Sequence, residues 1–199
     1  MGHSLWVAAG LLCLERLFYV WVSNDSARFA RIASRRGSDP TDALRRCFYG
    51  FKGLQLAVFW GWLVAFSGWD FWRPTESAIA LVSGGLLIGI GQTLNLGVFR
   101  RLGRTGVFYG SHFGHEVAWC ERFPFSVLRH PQYVGTVLSI WGFFLAMRFP
   151  APDWIVLPLV ESAYYLLGTY LEGEPHARPI RREPAASPST PETIFARRE

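Results

Sequence analysis

Several features that mark soluble or secreted proteins are scarce in this sequence of 199 residues. Only 18% of the residues are charged, and the three cysteines (Cys13, Cys47 and Cys120) are odd in number and lack the spacing of metal ligands. An ordinary soluble domain would carry more charge, and a disulfide framework would need paired cysteines. No basic segment is interleaved with aromatic residues as in nucleic-acid binding, and the N-terminus lacks the basic region of a secretory signal.

Five apolar segments are present instead, and each is long enough to enter a bilayer. They cover residues 5–22, 48–67, 77–99, 133–147 and 154–171. The last two are joined by a proline-rich turn and are typical of a helical hairpin. The sequence therefore predicts an all-α integral membrane bundle of about four to five transmembrane or hairpin helices.

Arginines set the expected orientation of this bundle. Six of them lie between residues 24 and 46, in a segment that we interpret as a short loop, and others follow the third apolar segment. By the positive-inside rule both regions face the cytoplasm, as does the chain after residue 171. Residues 1–175 then form one membrane domain, and residues 176–199 form a cytoplasmic tail that its Pro/Ser/Thr-rich composition predicts to be disordered.

Residues 102–135, the central stretch, lie between two apolar segments and are rich in titratable side chains. These are Arg104, His112, His115, Glu116, Glu121, Arg122, Arg129 and His130. Polar groups between membrane helices usually mark a functional site. The central stretch is therefore predicted to hold a cytoplasm-facing active site. The Glu15-Arg16 pair inside the first apolar segment is expected to face other helices or a wet cavity, and it is interpreted as a structural ion pair or part of a re-entrant segment rather than as catalytic.

Short motifs in a fixed order make this interpretation specific. They are Gly89-x-Gly91, Leu102-Gly103, Gly106-Val-Phe-Tyr-Gly110, Phe113-Gly114, Phe123-Pro-Phe125, Pro131-x-Tyr133-x-Gly135 and Glu172-Gly-Glu174-Pro175. Together they resemble the phospholipid N-methyltransferases, which methylate phosphatidylethanolamine to phosphatidylcholine, and the resemblance covers residues 84–175. In that family the two acidic residues are typically adjacent. Gly173 separates them here, so the role of each acidic residue stays open.

The resemblance implies methyl transfer from S-adenosylmethionine to a membrane phospholipid, with the cofactor held by the Gly-x-Gly element and the acidic pair. Charged side chains suit the carboxylate and ammonium of this cofactor, and aromatic rings suit its adenine and sulfonium. The predicted cofactor-binding residues are Gly89, Gly91, Tyr109, Arg129, His130, Tyr133, Glu172 and Glu174. Gly85 and Gly89 also form a small-xxx-small pattern, for which helix packing is an alternative explanation.

Methylation of an amine requires its neutral form, and the unperturbed pKa of an ethanolamine ammonium is on the order of 10. A base or a desolvating pocket must therefore lower the protonated fraction. His115 is the first candidate for this base because imidazole titrates near neutrality, with His112 and Glu116 as alternatives. The same three side chains could ligate a metal, but ligands from one short turn are insufficient, and no metal is predicted.

Two other functions stay open from the sequence. The element from Arg129-His130 to Gly135 is shared with isoprenylcysteine carboxyl methyltransferases, which form a methyl ester on a prenylated cysteine. A non-catalytic membrane scaffold is the second alternative, and it leaves the clustered His and Glu side chains unexplained. The family resemblance implies the endoplasmic reticulum membrane in a eukaryote or the inner membrane in a bacterium. The oligomeric state is not predicted.

Overall fold

The computed structural model describes residues 2–67, 75–117, 120–147 and 152–171. Within these ranges the chain forms six α-helices and no extended β-strand. They are α1 (Gly2–Asn24), α2 (Ser26–Arg35), α3 (Pro40–Ser67), α4 (Ala78–Val107), α5 (Pro131–Ala146) and α6 (Val156–Leu171). The all-α prediction is confirmed, and the five apolar segments fall on α1, α3, α4, α5 and α6. The predicted tail, residues 176–199, lies outside the described residues.

Two of the helices, α1 and α4, are long and apolar enough to cross a membrane. One face of α4 exposes a row of large apolar side chains, Ile79, Val82, Leu86 and Ile90, which are 82%, 60%, 62% and 52% exposed. A spacing of three and four residues places them on a single face, which a water-soluble protein would bury. The row is therefore suited to contact with lipid, and the two helices indicate a membrane protein.

The interpretation of residues 24–46 as a loop is wrong, because α2 and the first turns of α3 occupy this segment. The Asp25 side chain caps α2 by accepting a hydrogen bond from the Arg28 amide at 3.1 Å, and Pro40 starts α3. Phe29 and Ala33 are buried on one face of α2. The many arginines concealed this short amphipathic pattern.

Glycines bring α4 and α5 together backbone to backbone. A Cβ atom at Gly84 would lie 2.6 Å from the carbonyl oxygen of Gly142, and a Cβ atom at Gly91 would collide with the carbonyl oxygen of Gly135. Two antiparallel helices approach this closely only where side chains are absent. One face of α4 is therefore fixed against α5, and its other faces remain available for lipid or ligand.

The central stretch begins inside α4, which extends to Val107, beyond the predicted end at residue 99. A kink at Gly103, whose φ of +62° favours glycine, redirects the helix, and a 3₁₀ turn follows at Gly110–Phe113. Between them, Phe108 and Tyr109 are buried at 2% and 9% exposure. The chain thus returns to the interior of the bundle directly after α4 and brings these rings to α1 and α3.

Candidate active site

Two cavities meet where α3 and α5 face each other. The charged cavity, of about 70 Å³, is lined by Glu15, Arg16, Tyr19, Phe48, Lys52, Val107, Phe108, Tyr109, Gln132, Tyr133, Thr136 and Tyr165. The lateral groove, of about 560 Å³, is lined by Phe48, Lys52, Gln55, Leu56, Phe59, Ile88, Gln92, Asn95, Leu96, Phe99, Gln132, Thr136, Ser139, Ile140 and Phe143. Four residues line both, Phe48, Lys52, Gln132 and Thr136, so the two spaces are adjacent.

A buried ion network forms one wall of the charged cavity. The Arg16 guanidinium lies 2.7 Å from Glu15 Oε1, and Lys52 Nζ lies 3.0 Å from the same oxygen. Lys52 Nζ also donates to Gln55 Oε1 at 3.1 Å and to the Tyr165 hydroxyl at 2.9 Å. The predicted ion pair between Glu15 and Arg16 is confirmed, and it faces a polar cavity together with Lys52.

Tyrosines from four parts of the chain form the aromatic wall of the charged cavity. The Arg16 guanidinium lies 4.2 Å from the ring centroid of Tyr165 and 5.5 Å from those of Tyr19 and Tyr133. The ring of Tyr109 packs edge-on against Tyr19 at 6.0 Å. Such faces attract cations. The Tyr19 hydroxyl is buried and has no hydrogen-bond partner among the described residues.

The structure brings some of the predicted cofactor-binding residues together. Tyr109 and Tyr133 both line the charged cavity. The ring of His130 stacks on Tyr133 with centroids 5.9 Å apart, although His130 lines neither cavity. Arg129, which precedes His130 just before α5, is exposed. Glu172 and Glu174 lie outside the described residues.

The two glycines of the Gly-x-Gly element, Gly89 and Gly91, differ in their surroundings. Neither of them lines the charged cavity or the lateral groove. Gly91 is buried against α5, whereas a Cβ atom at Gly89 would meet open space. A Cβ atom at Gly85 would also meet open space. The alternative explanation of Gly85 and Gly89 as a helix-packing pair is therefore wrong, because the helices pack through Gly84 and Gly91.

The three predicted catalytic residues, His112, His115 and Glu116, are exposed and line neither cavity. The His112 ring packs on the Tyr109 ring with centroids 5.3 Å apart, and Tyr109 in turn lines the charged cavity. His115 Nε2 instead lies 3.8 Å from Asp39 Oδ1. Across the described ranges, no three His, Cys, Asp or Glu side chains are arranged to hold a metal ion.

Sequence reasoning missed several residues of the charged cavity, notably Lys52, Tyr165 and Tyr19. A lysine inside an otherwise apolar helix was a signal for Lys52, because such a charge usually faces a cavity or a partner. The tyrosines carried no local signal. They are far apart in the sequence and meet only after α1 and α6 have packed together.

The fold and the cavities define a helical membrane protein whose site suits an amphiphilic ligand, and comparison with known proteins gives its family. Residues 79–180, half of the chain, match the family model of phospholipid methyltransferases. A phosphatidyl-N-methylethanolamine N-methyltransferase of Arabidopsis thaliana is 32% identical over 181 residues, which are 88% of this chain and 96% of that protein. The chain belongs to the phospholipid methyltransferase family and is a methyltransferase.

Shorter matches agree with this family. A phosphatidylethanolamine N-methyltransferase of Rattus norvegicus is 33% identical over 100 residues, 50% of this chain and 49% of that one. A phosphatidyl-N-methylethanolamine N-methyltransferase of Saccharomyces cerevisiae is 41% identical over 68 residues, 33% of this chain and 32% of that one. No solved structure matches the chain significantly. The isoprenylcysteine alternative is not favoured, and the scaffold alternative is wrong because the chain is an enzyme.

Proposed function

We propose that this enzyme transfers methyl groups from S-adenosylmethionine to the amino head group of phosphatidylethanolamine or of its mono- and dimethyl derivatives, toward phosphatidylcholine. The adjacency of the charged cavity and the lateral groove, which share four lining residues, carries the proposal. A polar head group can enter the cavity while the acyl chains stay in the groove, so the lipid need not leave the bilayer. Desolvation in the buried cavity favours the neutral amine that must attack the methyl group.

The relatives favour an acceptor that is already methylated once. The match to the Arabidopsis thaliana protein spans nearly the full length of both chains, and that protein is named for phosphatidyl-N-methylethanolamine. The Saccharomyces cerevisiae relative carries the same name. We therefore propose that phosphatidyl-N-methylethanolamine is the preferred acceptor.

The charged cavity fits one end of the proposed cofactor. S-adenosylmethionine, when bound, would supply an electrophilic methyl group on a cationic sulfonium. The ring of Tyr109 suits such a cation, whereas Tyr19 and Tyr133 already contact the Arg16 guanidinium. The cavity of about 70 Å³ is smaller than the roughly 300–1,000 Å³ of complete ligand pockets, so it can enclose only part of a cofactor. We propose that the rest is held by Gly89, Arg129, His130, Glu172 and Glu174, as the family motifs imply, whereas Gly91 is buried against α5 and has no room for a ligand.

Removal of the amine proton is assigned to the central stretch. His112 is the better supported base because its ring packs on Tyr109, which lines the charged cavity. His115 and Glu116 remain alternatives. Once the amine is neutral, the cavity walls would align its nitrogen with the methyl group of the bound cofactor and exclude water. These two effects can carry most of the catalysis of a direct displacement, in which the new C–N bond replaces the C–S bond and the sulfur leaves as a thioether, without a covalent intermediate on the protein.

The arginine-rich segments support a cytoplasmic position for the central stretch and the C-terminus. Four arginines of α2 and the turn after it are exposed, and α4 ends in further arginines on the same side as the start of α5. Such charge is typical of cytoplasmic loops. We propose that the enzyme resides in the endoplasmic reticulum membrane, with its site accessible to the cytosolic cofactor.

The test is methyl transfer from radiolabelled S-adenosylmethionine by the purified full chain reconstituted in lipid nanodiscs. Acceptors should include phosphatidylethanolamine, its mono- and dimethyl forms and a farnesylated cysteine. We expect label in the phospholipid fraction, with the monomethyl lipid consumed fastest. Label only in the farnesylcysteine ester, or in none of the acceptors, would contradict the proposed function.

A further inference from the structure

The lateral groove combines exposed apolar side chains with polar ones, as a binding site for an amphiphile requires. Leu56 of α3 and Leu96 of α4 line the groove and are 55% and 50% exposed, so it opens toward the surroundings of the helices. Its lining also includes polar side chains. Gln92, which is exposed, donates to Ser139 Oγ at 2.9 Å, and the buried Asn95 Oδ1 has no hydrogen-bond partner among the described residues. A volume of about 560 Å³ lies within the range of ligand pockets.

Lys52 stands at the junction of the groove and the charged cavity, since it lines both. Its ammonium contacts Glu15, Gln55 and Tyr165. Of these three partners only Gln55 lines the groove. An anionic oxygen arriving through the groove can therefore replace the amide oxygen of Gln55, and a charge-assisted hydrogen bond is roughly twice as strong as a neutral one.

The charges on the walls favour an anion at this junction. Arg16 and Lys52 are cationic and Glu15 is anionic, which leaves one excess positive charge on the cavity wall. Glu161 lines neither cavity, but it is buried and interacts with Lys52, so it partly offsets this excess charge. The first turn of α5 contributes Gln132 to the wall, so the positive end of that helix adds to the field. A phosphodiester carries one negative charge and complements this wall.

We propose that Lys52 recognises the phosphate of the substrate phospholipid while the lateral groove seats its acyl chains. This inference rests on the proposed function, because it describes where the methyl acceptor binds. The phosphate fixes the position of the head group, and the ethanolamine nitrogen then extends into the charged cavity among its tyrosines. Lys52 is accordingly a residue of substrate specificity, which distinguishes a phospholipid from a phosphate-free lipid that carries the same amine.

The first experiment combines a Lys52→Met variant of the full chain with two acceptors in mixed micelles. One acceptor is dioleoyl phosphatidyl-N-methylethanolamine, and the other is a dioleoylglycerol ether of N-methylaminoethanol, which lacks the phosphate. We expect the variant to lose roughly 10- to 100-fold in kcat/KM for the phospholipid, the loss typical of a hydrogen bond to a charged group. With the phosphate-free acceptor the loss should be at least several-fold smaller, because only the contacts of Lys52 with the protein are removed.

Two further variants separate recognition from folding. Lys52→Arg keeps the charge and should retain most of the activity toward the phospholipid. Lys52→Gln removes the charge but keeps a polar side chain, leaves Glu15 paired with Arg16, and should show the same selective loss on the phospholipid. An equal loss on both acceptors, or no loss on either, would overturn the inference. Failure of the parent enzyme to methylate any acceptor would instead refute the proposed function.

The second experiment tests the groove with two exposed leucines of α4. Leu96 lines the groove, whereas Leu86 lies on the apolar face outside it. Leu96→Trp fills the groove and should raise KM for the dioleoyl acceptor roughly tenfold, a typical cost of overpacking. Leu86→Trp is the matched control and should leave KM unchanged, and a dibutanoyl acceptor should be used equally well by both variants. Equal KM values of the two variants for the dioleoyl acceptor would contradict the assignment of the groove.

Discussion

The two polar regions of this enzyme differ chiefly in burial. Glu15 and Arg16 sit inside the first apolar helix and are 4% and 7% exposed, whereas the side chain of His115 in the central stretch is 45% exposed. The buried pair lines a cavity, and the exposed histidine faces Asp39 at the surface. A dense run of titratable residues in the sequence therefore need not be a dense cluster in space. In a membrane bundle, isolated charges on apolar helices are the stronger indication of a site.

Removal of the buried arginine should have the largest effect. Arg16→Met leaves Glu15 with Lys52 as its remaining cationic partner and removes a cation from three tyrosine faces. We expect a loss of about 3 kcal/mol in the free energy of unfolding, because breaking a buried pair exposes the cost of the desolvated charge. Thermal unfolding in detergent, followed by tryptophan fluorescence, measures this loss.

The matched control for this prediction is Arg31→Met, which removes an exposed arginine of α2. A surface substitution of this kind should change stability by no more than about 0.5 kcal/mol. If both variants unfolded at the same temperature as the parent protein, the buried ion network would contribute nothing measurable. Burial of the charges would then make no difference to the free energy of unfolding.

Substitution of His112 and His115 tests whether the exposed central stretch takes part in catalysis. His112→Gln should lower kcat by roughly 100-fold if His112 is the general base, and should flatten the pH dependence of kcat. His115→Gln is the comparison, and its kcat should stay close to that of the parent enzyme because His115 points toward Asp39. Steady-state methyl transfer across a pH series measures both. A defect confined to His115→Gln would return the role of base to His115.

Much of the fold could be predicted from the sequence because apolar length is a local property. The five apolar segments indicated α1, α3, α4, α5 and α6, and only α2 was missed, since its short amphipathic pattern is dominated by arginines. The site was predictable only in part. Tyr109 and Tyr133 belong to recognisable motifs, but Tyr19 and Tyr165 join them through tertiary packing, which no local pattern encodes.

The same contrast in burial applies to the glycines of α4 and gives the last prediction. Gly91→Ala places a methyl group against the carbonyl oxygen of Gly135 and should cost about 1–3 kcal/mol of stability, because neither backbone can yield freely. Gly85→Ala, six residues earlier on the same helix, points into open space and should be neutral or stabilising by about 0.5–1 kcal/mol. Thermal unfolding of both variants beside the parent protein decides the matter. Equal stability of the two variants would mean that α4 and α5 are not held together at Gly91, and the groove beside them would lose its fixed wall.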